Sequence, residues 1–249
     1  MALLEHISHS SMSTWLQCPA RWAKRYIEYL PERRSLSLVA GSVFHRALAL
    51  LGMRQAHPDE VLALVPSLVE EQFAAGEVDG TPEEATEVAS DYLRIYLPLF
   101  LSLELKLEAV EEKFYLDIPG TRPRFLGYID LVARDKDGQV AVLDFKTADR
   151  RWSVEKAARS TQHIPYVLHT ARSRGVRRDS VVFEYHVVTR NDVQVLRLPP
   201  LADSKVRWWE EQVRMVVRGI EAGVFPANPD GWWCSPKYCA YYAQCPAVA

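Results

Sequence analysis

Residues 125–146 read FLGYIDLVARDKDGQVAVLDFK. The stretch holds two apolar segments, 125–133 and 140–146, and each carries one acid that does not belong in a core. Between them, Arg134-Asp135-Lys136-Asp137-Gly138-Gln139 is polar and contains an Asp-Gly pair, a strong hairpin signal. The pattern predicts two antiparallel strands joined by a tight turn. Side chains alternate faces along a strand, so Val140, Val142, Asp144 and Lys146 share one face and Ala141, Leu143 and Phe145 the other. In the first strand Asp130 is the one charge among Leu126, Tyr128 and Val132. A lone aspartate at a strand end is usually solvated. Two aspartates and a lysine flanked by Val, Leu and Ile point instead to a divalent-metal site with a cationic partner, because buried charges occur mainly when paired or metal-bound.

The rest of the composition sets bounds. A chain of 249 residues suffices for one large α/β domain or two small ones. The net charge of −2 supplies no global basic field, so any nucleic-acid contact must rest on local patches. No apolar run reaches the ~20 residues of a membrane helix; residues 97–110 are broken by Pro98, Glu104, Lys106 and Glu108. The opening MALLEHISHS lacks the basic and apolar regions of a signal peptide. The expected location is the cytoplasm (of the host, for a phage protein), with no membrane partner and with disulfides disfavoured.

Outward from the hairpin, residues 8–30 read as helical, with Ser10, Ser11 and Ser13 as candidate caps and Pro19 either kinking the helix or starting a second. Arg21, Lys24, Arg25, Arg33 and Arg34 make this end basic, either a solvated face or a phosphate-contacting edge. Residues 41–52 predict another helix, with His45 among apolar neighbours; a single such histidine is more often a core residue than a ligand. Residues 57–107 look largely helical, separated at 76–82, and carry no evident chemistry. Residues 110–119 predict a strand, with Glu111 and Glu112 at its start able to approach the site. After Lys146 come a loop and a helix over 154–174, in which Gln162 and Tyr166 share a face and Pro165 sits between them. Strands over 180–189 and 193–198 follow, then a helix over 203–223 with a core stripe of Val206, Trp209, Val213, Val217 and Ile220. Arg150, Arg151, Lys156, Arg159 and the arginines of 172–178 are candidate phosphate contacts, weighed against a solvated basic surface.

Four cysteines remain. Cys234, Cys239 and Cys245 stand at C-x4-C-x5-C, and the 215 residues between Cys18 and Cys234 hold no cysteine. Four thiolates suit a tetrahedral zinc or an iron–sulfur cluster, and spacing alone does not separate the two. Four buried apolar thiols is the plain alternative. A metal here would staple the two ends of the chain.

Taken in order, these features resemble the PD-(D/E)XK nuclease superfamily, in particular its RecB-like branch with the CRISPR-associated iron–sulfur exonucleases and related phage and helicase-linked nucleases. S-x-S-x7-C-P is matched by Ser8, Ser10, Cys18 and Pro19, G-x3-H by Gly41 and His45, and G-x-x-D by Gly127 and Asp130. D-x-K is matched by Asp144 and Lys146, Q-x3-Y by Gln162 and Tyr166, and the cysteine trio by Cys234, Cys239 and Cys245. Each motif is weak alone; the ordered set is specific. Two features depart from the pattern: Ile129 stands where proline is frequent, and the first spacing of the trio is four residues where many relatives have two.

The resemblance implies one α/β nuclease domain over 1–249, its central mixed sheet flanked by helices, with a helical insertion at about 53–108. It implies an iron–sulfur patch formed by Cys18 and 234–245 that joins the N- and C-terminal segments. It further implies a Mg²⁺- or Mn²⁺-dependent deoxyribonuclease, an exonuclease on single strands or duplex ends. In that pattern His45, Asp130, Asp144 and the Phe145 carbonyl hold the metal; Lys146 serves the attacking water; Gln162 and Tyr166 position the lysine and the DNA backbone. Cys18, Cys234, Cys239 and Cys245 hold a [4Fe-4S] cluster, with structural Zn²⁺ as the alternative. The expected partners are DNA and a helicase, recombination or CRISPR-adaptation protein. The chain has no P-loop motor motif of its own. The competing expectation is a non-catalytic DNA-binding or assembly subunit.

Overall fold

The computed structural model describes residues 4–248. In chain order the elements begin with β1 (His6–Ser8), α1 (His9–Gln17), α2 (Pro19–Tyr26), β2 (Arg34–Ser35), α3 (Leu36–Gly52), α4 (Val65–Ala74), β3 (Val78–Asp79) and α5 (Pro82–Ser102). They continue with β4 (Lys106–Leu116), β5 (Arg124–Arg134), β6 (Val140–Thr147), α6 (Val154–Arg159), α7 (His163–Arg174), β7 (Val182–Val188), β8 (Val193–Arg197) and α8 (Asp203–Glu221). The chain divides into two compact units: 1–33 with 114–127 and 202–249, and 34–113 with 128–201.

The second unit contains the predicted hairpin. β5 and β6 run antiparallel, from Leu131 opposite Leu143 to Arg134 opposite Val140. Their turn depends on Gly138, whose φ of +80° is open to glycine at no steric cost, and on Asp135, whose Oδ1 accepts from the amides of Asp137 (3.0 Å) and Gln139 (2.9 Å). β7 lies parallel beside β6 and β8 antiparallel beside β7. The sheet order is β1-β5-β6-β7-β8, with β4 also pairing β5. It is a mixed sheet, as expected. β6 is buried from Val140 through Phe145, on both faces, which explains its near-continuous apolar run.

The Ala141–Leu143–Phe145 face of β6 packs on α3, α4 and α5. Phe44, Tyr96 and Phe145 form an aromatic cluster there, with Tyr96 and Phe145 5.4 Å apart. α3 starts earlier than expected because Ser35 Oγ caps it, accepting from Leu38 N at 3.3 Å. The helix anticipated over 154–174 is instead two, α6 and α7. Pro165 falls in the first turn of α7, where its missing N–H leaves no bond unmade. Gln162 stands at the N-cap position of α7 in helical backbone conformation, without a side-chain cap bond, so the four-residue relation to Tyr166 survives. β4 begins at Lys106 rather than Val110, and Glu111 and Glu112 lie inside it.

In the first unit, β1 pairs in parallel with the start of β5, Ile7 opposite Phe125. Three residues are too few to show a period-two pattern, and β1 was absorbed into the expected helix. The cap of α1 is accordingly Ser8, which accepts from Ser11 N at 3.2 Å, and not Ser10, Ser11 or Ser13. Pro19 starts α2 rather than kinking a single helix. α8 buries Val206, Trp209, Val213, Val217 and Ile220, the expected stripe, and Phe125 meets Trp209 at 5.0 Å. Beyond α8 the chain returns to α1 and α2: Ala20 N donates to Pro226 O, Asn228 Nδ2 to Gln17 O, and Phe225 stacks on Trp22.

Gly41 sets how closely α3 approaches β6. A Cβ at this position would stand 2.7 Å from Thr147 Oγ1. Glycine inside a helix costs about 1 kcal/mol relative to alanine, so close approach is the reason for it here. His45 lies one turn further on the same face. Gly41→Leu is expected to push α3 off the end of β6 and lower stability by about 1–3 kcal/mol. Thermal melting followed by circular dichroism reads this, and an unchanged melt would show that α3 has no close seat on β6.

Candidate active site

The β5–β6 ladder ends at Leu131 and Leu143, and the residues that follow toward the open end are Asp130 and Asp144. Phe145 N donates to Asp130 Oδ2 at 2.7 Å, and His45 Nδ1 lies 3.2 Å from Asp130 Oδ1. His45, Glu111 and Asp130 each present a ligand atom, all within 4.8 Å of one another. Asp144 stands with Lys146, whose Nζ forms an ion pair with its Oδ2. The Asp144 side chain is 1% exposed. Apart from Lys146, neither of its oxygens has a hydrogen-bond partner among the described residues. A buried, ionisable carboxylate in that state is poorly satisfied by protein alone, and hard oxygen donors beside an imidazole suit a divalent cation. Gln162 Nε2 donates to Tyr166 Oη at 2.8 Å, and Lys146 Nζ lies 5.8 Å from the centroid of the Tyr185 ring. His45, Glu111, Asp130, Phe145 and Lys146 line one cleft, with Arg46 and Tyr128 at its wall.

The electrostatics separate the two aspartates. Burial would raise the Asp130 carboxyl, but the His45 and Lys146 charges and the Phe145 amide hold it below its ordinary value. Asp144 is raised to about 6, because burial and the Asp130 charge outweigh the attraction of Lys146. Burial would lower His45; the Asp130 charge and hydrogen bond instead hold it above the usual imidazole value. Glu111 is raised by burial and by Asp130. The Asp144 charge also contributes, after burial, to holding the Tyr166 phenol above its ordinary value.

His45, Asp130, Asp144, Phe145, Lys146, Gln162 and Tyr166 all lie in the second unit, and His45, Asp130, Phe145 and Lys146 line one cleft. Glu111 is drawn in as well. The sequence indicated only that it could approach, since nothing in the residue order reveals its left-handed φ of +50°. Glu112 turns away to Arg174 and His169. The basic candidates fare less well as free phosphate contacts. Arg174 pairs with Glu108 and Glu112, Arg177 with Asp179, Arg178 Nε donates to Leu201 O, and Arg151 pairs with Asp192. At the N-terminal end Arg21 and Arg25 share Glu32, Lys24 pairs with Glu28, and Arg34 binds Gln72. These arginines are largely committed within the fold. Arg150 and Arg159 stay exposed, and Lys156 lies 4.2 Å over the Trp152 ring. In the first unit Cys18, Cys234, Cys239 and Cys245 are free thiols lining one pocket with Trp233 and Tyr241.

A profile of the PD-(D/E)XK nuclease superfamily matches residues 6–246. The chain belongs to this superfamily. Its members are nucleases that use divalent metal ions, and the mixed sheet flanked by helices is the superfamily fold. No curated protein matches the chain. Among solved structures, a "Putative exonuclease" from Eubacterium rectale is 14% identical, with a TM-score of 0.52, covering 92% of this chain and 87% of its own. The structure of SSO0001 is 16% identical over 100% of this chain and 89% of its own, with a TM-score of 0.44. At these identities the first is a likeness of fold. Among the described residues no helix is long and apolar enough to cross a membrane.

The Asp144 pKa gives a pH test on the metal-free protein. Its carboxyl titrates at 3.8 ordinarily and at about 6 when folded, so the folded state holds the proton more tightly. Stability is then full below about pH 4 and falls as pH rises through about 6, by on the order of 3 kcal/mol once ionised. Asp144→Asn removes that loss. In EDTA the variant is expected to melt above wild type near pH 8 and level with it near pH 4. A wild type that melts higher near pH 8 would contradict the buried, unsatisfied carboxylate.

Proposed function

We propose that this protein is a Mg²⁺- or Mn²⁺-dependent deoxyribonuclease of the RecB-like branch, acting as an exonuclease on single-stranded DNA or duplex ends. The observation that carries the reading is the His45–Glu111–Asp130 trio in one cleft, together with the buried Asp144 carboxylate on the neighbouring strand β6, ion-paired to Lys146 and otherwise unsatisfied. In this reading Asp130 and Asp144, with His45 and the Phe145 carbonyl, hold the cation, and Glu111 joins them. The bound cation supplies Lewis acidity, activating a water and neutralising charge on the scissile phosphate. Lys146, whose ammonium is ion-paired to Asp144, orients that water and stabilises the charge that develops on phosphorus-bound oxygens. Gln162 and Tyr166, bonded to each other, position the lysine and the DNA backbone. The name of the Eubacterium rectale relative agrees with exonucleolytic action, though fold likeness is all it contributes.

The same proposal assigns Cys18, Cys234, Cys239 and Cys245 to a structural [4Fe-4S] cluster, with Zn²⁺ as the alternative. Its support is the donor set: four free thiols around one pocket, in a segment hydrogen-bonded back to α1 and α2. The protein is expected to act in the cytoplasm, over 1–249 as one nuclease domain, and in company with a helicase, recombination or CRISPR-adaptation partner.

End-labelled single-stranded DNA with Mn²⁺ tests the activity. Wild type is expected to degrade it, and Asp144→Ala or Lys146→Ala to lose roughly a hundredfold or more in rate. DNA that is bound but left intact by wild type would favour the non-catalytic subunit instead. An anaerobic preparation is expected to be brown with broad visible absorption, and Cys239→Ser to lose the colour. A colourless protein with stoichiometric zinc would replace the cluster by zinc.

A further inference from the structure

Glu111 occupies a conformation that β-strand residues avoid. Its φ of +50° lies in the left-handed region, which is unfavourable for any side chain with a Cβ. Such a backbone persists only where its surroundings over-determine it. The residue held this way is the one whose carboxylate joins His45 and Asp130.

Its neighbour Glu112 is tied to α7. Arg174 donates to Glu112 through both terminal nitrogens, Nη1 to Oε1 at 2.6 Å and Nη2 to Oε2 at 2.5 Å. His169 Nε2 meets Glu112 Oε1 at 2.9 Å, and Arg174 Nε reaches Glu108 Oε2 at 3.5 Å. Glu108 and Glu112 are both on β4; His169 and Arg174 are both on α7. The guanidinium is 14% exposed and Glu112 19%, so this is a shielded, two-pronged pair and not a surface contact.

We propose that Arg174 and Glu112 are positioning residues of the metal site. Their ion pair fastens β4 to α7, and so keeps Glu111 in the left-handed turn that aims its carboxylate at His45 and Asp130. The proposal rests on the divalent-metal reading above. It predicts a coupling that a merely stabilising ion pair would lack: once Glu111 has no carboxylate to aim, the pair has no further effect on the metal. Lysine in place of Arg174 keeps the charge but loses the fork, and Glu112→Gln keeps the size but loses the charge.

The test is Mn²⁺ titration by calorimetry on the full chain without DNA, with melts in EDTA alongside. Glu111→Gln, Arg174→Lys and Glu112→Gln are each expected to weaken Mn²⁺ about tenfold. The doubles Glu111→Gln/Arg174→Lys and Glu111→Gln/Glu112→Gln are expected to bind no more weakly than Glu111→Gln alone. Multiplied losses in the doubles, or full affinity in both Arg174→Lys and Glu112→Gln, overturn the proposal while leaving the metal reading intact. Should Arg174→Lys not fold, the Glu112→Gln pair decides by itself. A wild type that takes up no Mn²⁺ overturns the metal reading, and this proposal with it.

Discussion

A carboxylate buried in a strand that is covered on both faces governs this site. Asp144 sits within β6, three residues before its end and in line with Val140 and Val142, where apolar packing would be expected to continue. Its charge opposes folding, and Lys146 compensates only in part, as the raised pKa shows. Sites of this kind persist where a function needs them. The surroundings are arranged to keep the acid where it is. Phe145, between Asp144 and Lys146, turns its ring into the aromatic cluster with Phe44 and Tyr96 while its amide binds Asp130. One residue thus anchors the strand in the core and fixes the second aspartate.

The helices on either side carry the same logic. α3 can deliver His45 to the strand ends because Gly41 lets it approach Thr147. α7 is freed from α6 by the break before His163, so its first turn can present Gln162 and Tyr166. Its last turn, closed by Gly175 at φ +62°, presents Arg174 to β4. The strength of the site therefore lies in backbone placement by packed elements, and loops contribute little to it.

Much of this was legible in the residues. Period-two alternation around Asp144 and the Asp-Gly turn predict the hairpin, and the order of short motifs singles out His45, which lies beside Asp130, and Gln162 and Tyr166, which bond each other. What escaped shares a physical cause. Three-residue β1 is too short for periodicity to register. Glu111 depends on one backbone dihedral that no residue type encodes. The basic residues looked like a nucleic-acid surface because sequence gives charge without partners. Arg174 and Arg21 are spent on acids brought near by folding, 62 positions away in the chain for Arg174 and Glu112 and 11 for Arg21 and Glu32.

The two aspartates are not equivalent, and the difference bears on how the proposed chemistry starts. Asp130 is held ionised by His45, Lys146 and an amide, so it is ready to accept a cation without losing a proton. Asp144 shares the nearest ammonium and gives up its proton only near pH 6. With the acid so poorly satisfied, Lys146 serves in the metal-free protein as a stand-in for a stronger positive partner. In the proposed reading a cation beside Asp144 would compete with Lys146 for the carboxylate, and Lys146 already lines the cleft. Under the proposed function, metal occupancy and the availability of Lys146 to water and phosphate would be linked through the one carboxylate they share.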